Sequence, residues 1–221
     1  LVFNIVAIPS GVYRYFREGR LLCPLAWLLA AGTVPGMLAG VLIRFQWLPA
    51  PGPFKIFAGL VLLGIALRLI WTARAPVTTP EAPVADRTAH VTEFSLKRFR
   101  LEYAGREHGC SMPGLLALSL GVGLVGGVYG IGGGAIIAPL LVGVFGLPLQ
   151  AISGATLTCT FVTSLAGAGF SQAVAPLYRA GGMSVAPDWL LGALFGLGGA
   201  IGMYAGARTQ KHVPTAWLRA L

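Results

Sequence analysis

Two features of this sequence have the means to do chemistry. Gly130, Gly132, Gly133 and Gly134 put four glycines within five positions of GVYGIGGGAIIAPLL (127–141), an apolar run that also holds Pro139. Downstream, Ser153, Thr156, Thr160 and Thr163 are spaced by three, four and three, so they share one helical face, with Ser164 beside them. Where a helix restarts after a break, its first amides have no intrahelical acceptor and carry a partial positive charge. The amides of Gly132, Gly133 and Gly134 are therefore a place for an anion. At membrane depth an unsatisfied amide costs several kcal/mol, so each requires a partner. Hydroxyls can donate to sulfur or carboxylate oxygens without the desolvation cost of a buried charge. Two plainer readings stand beside these: close helix packing with the amides bonded to neighbours, and hydroxyls bonded to their own backbone or an adjoining helix.

Other chemistry is poorly supplied. The seven acids, Glu18, Glu81, Asp86, Glu93, Glu102, Glu107 and Asp188, fall in expected loops or at span ends, which disfavours a cation carrier built on intramembrane carboxylates. Cys23, Cys110 and Cys159 lack metal-ligand spacing, and His90 and His108 belong to a polar connection, so no metal or cofactor is implied. GVGLVG (121–126) fits a dinucleotide fingerprint only as a string, without a βαβ context, and the glycine cluster is not followed by the Lys-Ser/Thr of a phosphate loop. An integral-membrane enzyme acting on lipid would need a nucleophile or acid–base cluster, which Asp188 and scattered histidines do not make. A membrane subunit without transport of its own is the other alternative.

The elements that must position these residues are membrane spans. The 221 residues are 56% hydrophobic and 10% charged, against about a quarter charged in ordinary soluble domains. Residues 108–178 hold no Asp, Glu, Lys or Arg. As one helix they would run roughly 105 Å, far beyond a hydrocarbon core of about 30 Å, so they must fold back within the bilayer. The net charge of +9 sits in short loops flanking apolar spans, which argues for membrane topology and against nucleic acid.

The expected fold is an all-α polytopic membrane protein with discontinuous helices. Residues 1–71 hold the tail of a span (1–9), a polar turn RYFREGR, and spans at 23–43 and 54–71. Residues 72–111 read as a polar inter-repeat loop on the cytoplasmic side, a flexible APVTTPEAPVA linker followed by a solvated stretch; there Lys97, Arg98 and Arg100 alternate with Phe94, Phe99, Leu101 and Tyr103 and could rest on lipid headgroups. Residues 112–221 hold 112–128, the glycine cluster, 134–147, 150–170 and 187–207. The two short pieces flanking the glycines are the pattern of a broken helix.

An internal repeat is expected. Trp27-Leu28-Leu29 with Gly36 and Gly40 matches Trp189-Leu190-Leu191 with Gly198 and Gly202, and PFKIFAGL (53–60) resembles AWLRAL (216–221). The glycines read as positions of close helix approach, and Pro35 and Pro139 as kinks or helix ends. Loop charges reverse between the halves, favouring inverted repeats of five helical segments each. On that alignment the chain begins after the first-half counterpart of 112–147 and stops as its last span starts.

The chain resembles the TauE/SafE family of membrane permeases, described as sulfite exporters. GLVGGVYGIGGGAIIAPLL (123–141) carries the most specific part of the likeness, with AISGATLTCTFVTSLAGAG (151–169), PGMLAG (35–40) and FKIFAGLVLLGIALRL (54–69). The resemblance implies a duplicated helical transporter that moves sulfite, sulfonates or sulfoacetate across the bacterial cytoplasmic membrane. It points to Gly130, Gly132, Gly133, Gly134 and Pro139, then Gly154, Thr156, Thr160, Thr163 and Ser164, as substrate-binding residues. Asn4 and Ser10 are their first-half counterparts. The first-half glycine motif of the family is not present in residues 1–71.

Overall fold

The computed structural model describes residues 1–19, 21–47, 51–73, 90–95, 97–103, 105–130, 132–179 and 186–209. Seven helices lie among them. They are α1 (Val2–Arg17), α2 (Cys23–Gln46), α3 (Pro51–Ala73), α4 (Met112–Tyr129), α5 (Gly134–Phe145), α6 (Leu149–Arg179) and α7 (Trp189–Thr209). Long apolar runs become helices here because lipid offers backbone groups no partner, and a helix satisfies them within its own segment. By length and composition Cys23–Gln46, Met112–Tyr129 and Ala151–Tyr178 are sufficient to cross a membrane. The chain is thus an all-α membrane protein in its spans, with the helix break where the glycines stand.

Small residues decide which helices touch. A Cβ on Gly36 or Gly40 of α2 would overlap the carbonyls of Leu120 and Leu124, and one on Gly123 or Gly127 of α4 would overlap those of Thr33 and Met37. α2 and α4 therefore meet backbone to backbone, held by dispersion at a distance that larger side chains forbid. α1 and α7 pair through Gly192 and Gly196 against Val2 and Val6. α6 packs against α1, α2 and α5.

Several expectations change. The stretch expected as a solvated loop folds from residue 90 into an antiparallel sheet of β1 (His90–Phe94), β2 (Arg98–Tyr103) and β3 (Arg106–Ser111), in that order. In β2 the side chains alternate: Phe99 and Leu101 are fully buried, while Arg100 on the other face reaches Glu93 at 3.2 Å and Glu107 at 3.8 Å. Phe99, Leu101 and Cys110 join a core with Leu22, Leu25, Ala26 and Leu115, so two of the aromatic and aliphatic residues expected at headgroups are spent on protein. The sheet is fixed to the bundle because Ser111 ends β3 and Met112 opens α4, whose first amide donates to the Lys97 carbonyl at 3.2 Å. The linker 75–85 lies outside the described residues.

RYFREGR is no turn over its first four residues, which complete α1; an Arg14–Glu18 pair at 2.9 Å closes its end. Pro35 and Pro139 lie inside α2 and α5. The repeat partners differ in surroundings: Gly36 and Gly40 are packed tightly, whereas a Cβ on Gly198 or Gly202 meets nothing within 4 Å. Residues 216–221, the other repeat segment, lie outside the described residues.

Candidate functional site

The glycine break is a left-handed turn between two helices. Gly130 (φ 74°) caps α4, its amide donating to the carbonyls of Gly126 at 2.9 Å and Gly127 at 3.3 Å. Gly132 has φ 84°. Residues with a Cβ rarely adopt either conformation, which accounts for these two glycines. Gly133 then has φ −66° and ψ −24°, and α5 begins at Gly134 with no side-chain cap. The Gly133 carbonyl accepts from Ile136 and Ile137, both at 3.2 Å. Gly132, Gly133 and Gly134 are buried, and among the described residues none accepts a hydrogen bond from their amides. The N-terminal end of α5 thus brings its partial positive charge into the protein interior unmatched.

Three helices close around this turn. A Cβ on Gly134 would overlap Thr160 Oγ1 and lie 2.6 Å from the Thr160 nitrogen, and one on Gly132 would come within 2.8 Å of Ser164 Oγ and 3.4 Å of Thr163 Oγ1. A Cβ on Gly133 would overlap Thr33 Cγ2 of α2, and one on Gly126 of α4 would reach Gly133 Cα at 2.7 Å. The glycines therefore admit neighbours as well as exposing amides. The close packing of the plainer reading is present, but the amide bonds to neighbouring helices that it expected are not found among the described residues.

The hydroxyl row faces the break, but most of its protons are committed. Thr160 donates to the Thr156 carbonyl at 2.8 Å, Thr163 to Cys159 at 2.8 Å, and Thr156 to Ser153 at 3.1 Å. For these three the plainer reading of a Ser/Thr stripe is correct. Ser164 differs, because it accepts from Asn4 Nδ2 at 3.0 Å and gives its own proton to no described residue. The structure thus brings Gly132, Gly133, Gly134, Thr160, Thr163, Ser164 and Asn4 together. Gly154 is buried lower on α6, its carbonyl taking the Thr158 hydroxyl at 2.9 Å. Pro139 stands further along α5, and lacking an N–H it leaves a carbonyl of the first turn without its helical donor. Ser10 is exposed and bonds the Ala7 carbonyl at 3.0 Å, apart from this group.

Thr33 is the residue that sequence reasoning passed over. Its hydroxyl donates to the Leu29 carbonyl and sits 3.2 Å from Cys159 Sγ, and its methyl presses on Gly133. A fully buried threonine amid a run of Ala, Leu and Gly was a signal, though a weak one. A cavity of about 560 Å³ reaches the break only at Gly130; the hydroxyl row and Gly132–Gly134 do not line it.

No curated protein and no solved structure matches the chain. The family model described as sulfite exporter TauE/SafE matches residues 1–221, the whole chain, and that is a family of transporters rather than enzymes. With its apolar helices interrupted at buried glycines, the protein belongs to the TauE/SafE family and is a multi-pass membrane transporter.

Proposed function

We propose that this protein carries small sulfur-containing oxyanions, such as sulfite, sulfonates or sulfoacetate, across the bacterial cytoplasmic membrane by alternating access. The observation that carries this reading is the set of buried, acceptor-less amides of Gly132, Gly133 and Gly134 at the start of α5, beside the uncommitted Ser164 hydroxyl. Those amides and the Ser164 O–H are neutral donors close to one another, and an oxyanion can take several such donors at once. Asn4 orients Ser164 by donating to its oxygen. Thr160 and Thr163, with their protons directed to α6 itself, form the wall that sets the width of the site.

Neutral dipoles suit a carrier better than a buried lysine or arginine would. A fixed countercharge in a low dielectric would bind the anion too firmly to release it. Gly130 and Gly132 let the turn bend, while Gly154 and Thr156 support the lower part of the α6 face. In this reading residues 1–71 are the C-terminal part of a first transmembrane repeat, 72–111 an inter-repeat segment facing the cytoplasm, and 112–221 belong to a second repeat. Membrane lipids surround the spans.

Transport of radiolabelled sulfite into proteoliposomes holding the full-length protein tests the proposal. Sulfite flux in the wild type and its loss in Gly133→Leu, whose side chain must displace Thr33 and so deform the turn that carries the amides, is the expected outcome. Undiminished flux in Gly133→Leu overturns the site, and no flux of any sulfur oxyanion in the wild type overturns the function.

A further inference from the structure

The seven buried hydroxyls among the described residues are Thr33, Ser119, Thr156, Thr160, Thr163, Ser164 and Ser171. Six are hydrogen-bonded. Thr33, Ser119, Thr156, Thr160 and Thr163 donate to helix carbonyls, and Ser164 takes the Asn4 amide. Among the described residues Ser171 has no partner, although it is only 6% exposed. An unsatisfied buried hydroxyl is unfavourable and calls for a partner outside the protein. Ser171 lines the cavity of about 560 Å³, and so do Arg44, Gly130 and Asp188.

The two charged side chains around this cavity are placed at different depths. Asp188 is exposed, and its carboxylate accepts from the Leu191 amide at 2.9 Å, which ties its negative charge to the positive end of α7. Arg44 is half-buried, its guanidinium lying 4.0 Å above the Phe54 ring. That stacking covers one face of the guanidinium and fixes its positive charge beside the cavity. Phe54 packs on Tyr129 at 6.0 Å, and the Tyr129 hydroxyl donates to the Ala58 carbonyl at 2.9 Å. The cation is thereby coupled to the residue immediately before Gly130. Ser171 is the most deeply buried of the three polar side chains.

We propose that this cavity is a second anion site, a vestibule in which Arg44 and Ser171 hold an oxyanion before it passes Gly130 to the amides beyond. The inference rests on the chain being an oxyanion carrier. Arg44 supplies the charge that the inner site lacks, and Ser171 supplies a directed O–H at the inner end. Asp188 opposes occupancy and keeps the hold loose. A free oxyanion and a lipid phosphate share this chemistry, and the volume and the buried hydroxyl favour the free one.

Two measurements test the vestibule. The first is binding of radiolabelled sulfite to the detergent-purified Gly133→Leu protein, in which the inner site is disrupted by the collision with Thr33. One saturable site is expected, weakened on the order of tenfold by Arg44→Gln, by about threefold in Ser171→Ala, and largely kept in Arg44→Lys. Asp188→Asn is expected to tighten it. The second is sulfite transport in proteoliposomes of phosphatidylcholine with and without phosphatidylglycerol, where Arg44→Gln is expected to raise KM with little change in turnover.

Absence of the site in Gly133→Leu, or binding indifferent to Ser171→Ala and Asp188→Asn, overturns the vestibule even if Arg44→Gln does not fold. Displacement of sulfite by phosphatidylglycerol overturns it in favour of a headgroup. Transport with an unchanged KM in Arg44→Gln sinks the vestibule and leaves the carrier standing. Arg44-dependent binding without any transport does the reverse.

Discussion

Replacing Gly133 by alanine places a methyl group on Thr33 Cγ2. The backbone at Gly133 (φ −66°, ψ −24°) suits alanine, so the collision is the main effect. After Thr33, the nearest atoms to the new methyl belong to Gly123, at 3.4 Å and 3.5 Å, which is ordinary contact. Overpacking costs about 1–3 kcal/mol, and the stiffer unfolded chain returns about 0.4–1 kcal/mol. The net loss is about 1–2 kcal/mol, or roughly 2–8 °C of melting temperature at this chain length.

Thr33→Ser removes only the offending methyl and keeps the hydroxyl on the Leu29 carbonyl. Alone it costs about 1 kcal/mol for the lost contact. In the double variant the methyl has merely moved from one side of the contact to the other, so stability is expected within about 0.5 kcal/mol of wild type, a coupling of about 2 kcal/mol. Gly134→Ala is the control. Its methyl meets Thr160 Oγ1 but also the Thr160 nitrogen at 2.6 Å and the Thr156 carbonyl at 2.7 Å, so Thr160→Ala clears one obstacle and leaves two. Thermal melts of the purified variants decide the matter. A Gly133→Ala/Thr33→Ser protein melting no higher than Gly133→Ala, or a Gly134→Ala protein restored by Thr160→Ala, refutes this account of the break.

Two further outcomes follow from named positions. At Gly130 a Cβ meets nothing within 4 Å, so Gly130→Ala is expected to cost only the left-handed strain, about 1–2 kcal/mol, and Gly130→Asn less; equal melting of the two variants counts against this. In the sheet, burial pushes the Cys110 thiol up to about 11. The folded state therefore holds its proton where the unfolded chain, near 9, has lost it, and the sheet's stability falls as pH rises from about 9 to 11. Iodoacetamide labelling of Cys110 is expected to be negligible at pH 8 in the folded protein and rapid in denaturant. Equal rates in the two conditions contradict the burial.

The spans and the break were legible because hydropathy and glycine act locally. The ends of α4 and α5 follow directly from Gly130 and Gly134. The facing of α6 onto the break was legible as a period of three and four, since Thr156, Thr160 and Thr163 must share a side. What the hydroxyls do there was not, because whether a threonine proton goes to its own helix or outward depends on the neighbour's distance. The sheet was hidden for a different reason: Arg98, Arg100 and Glu102 made β2 look solvated, although its alternate residues Phe99 and Leu101 are wholly enclosed. Thr33, a lone hydroxyl in an apolar run, gave only a weak signal because its contact with Gly133 spans a hundred positions of chain. The matched glycines of the two halves warn that equal spacing does not guarantee equal environment.

The bare contact between α2 and α4 limits how this protein can move. Peptide planes in direct touch, with no side chains to shear past one another, cannot slip by a residue, so the two helices turn as a single beam. α1 and α7 make a second beam, and α6 leans on both. A swing of the second beam about α6 would strain both side-chain bonds that tie it there, Asn4 to Ser164 and Trp189 to Gln172, so these two bonds would set how far it can move.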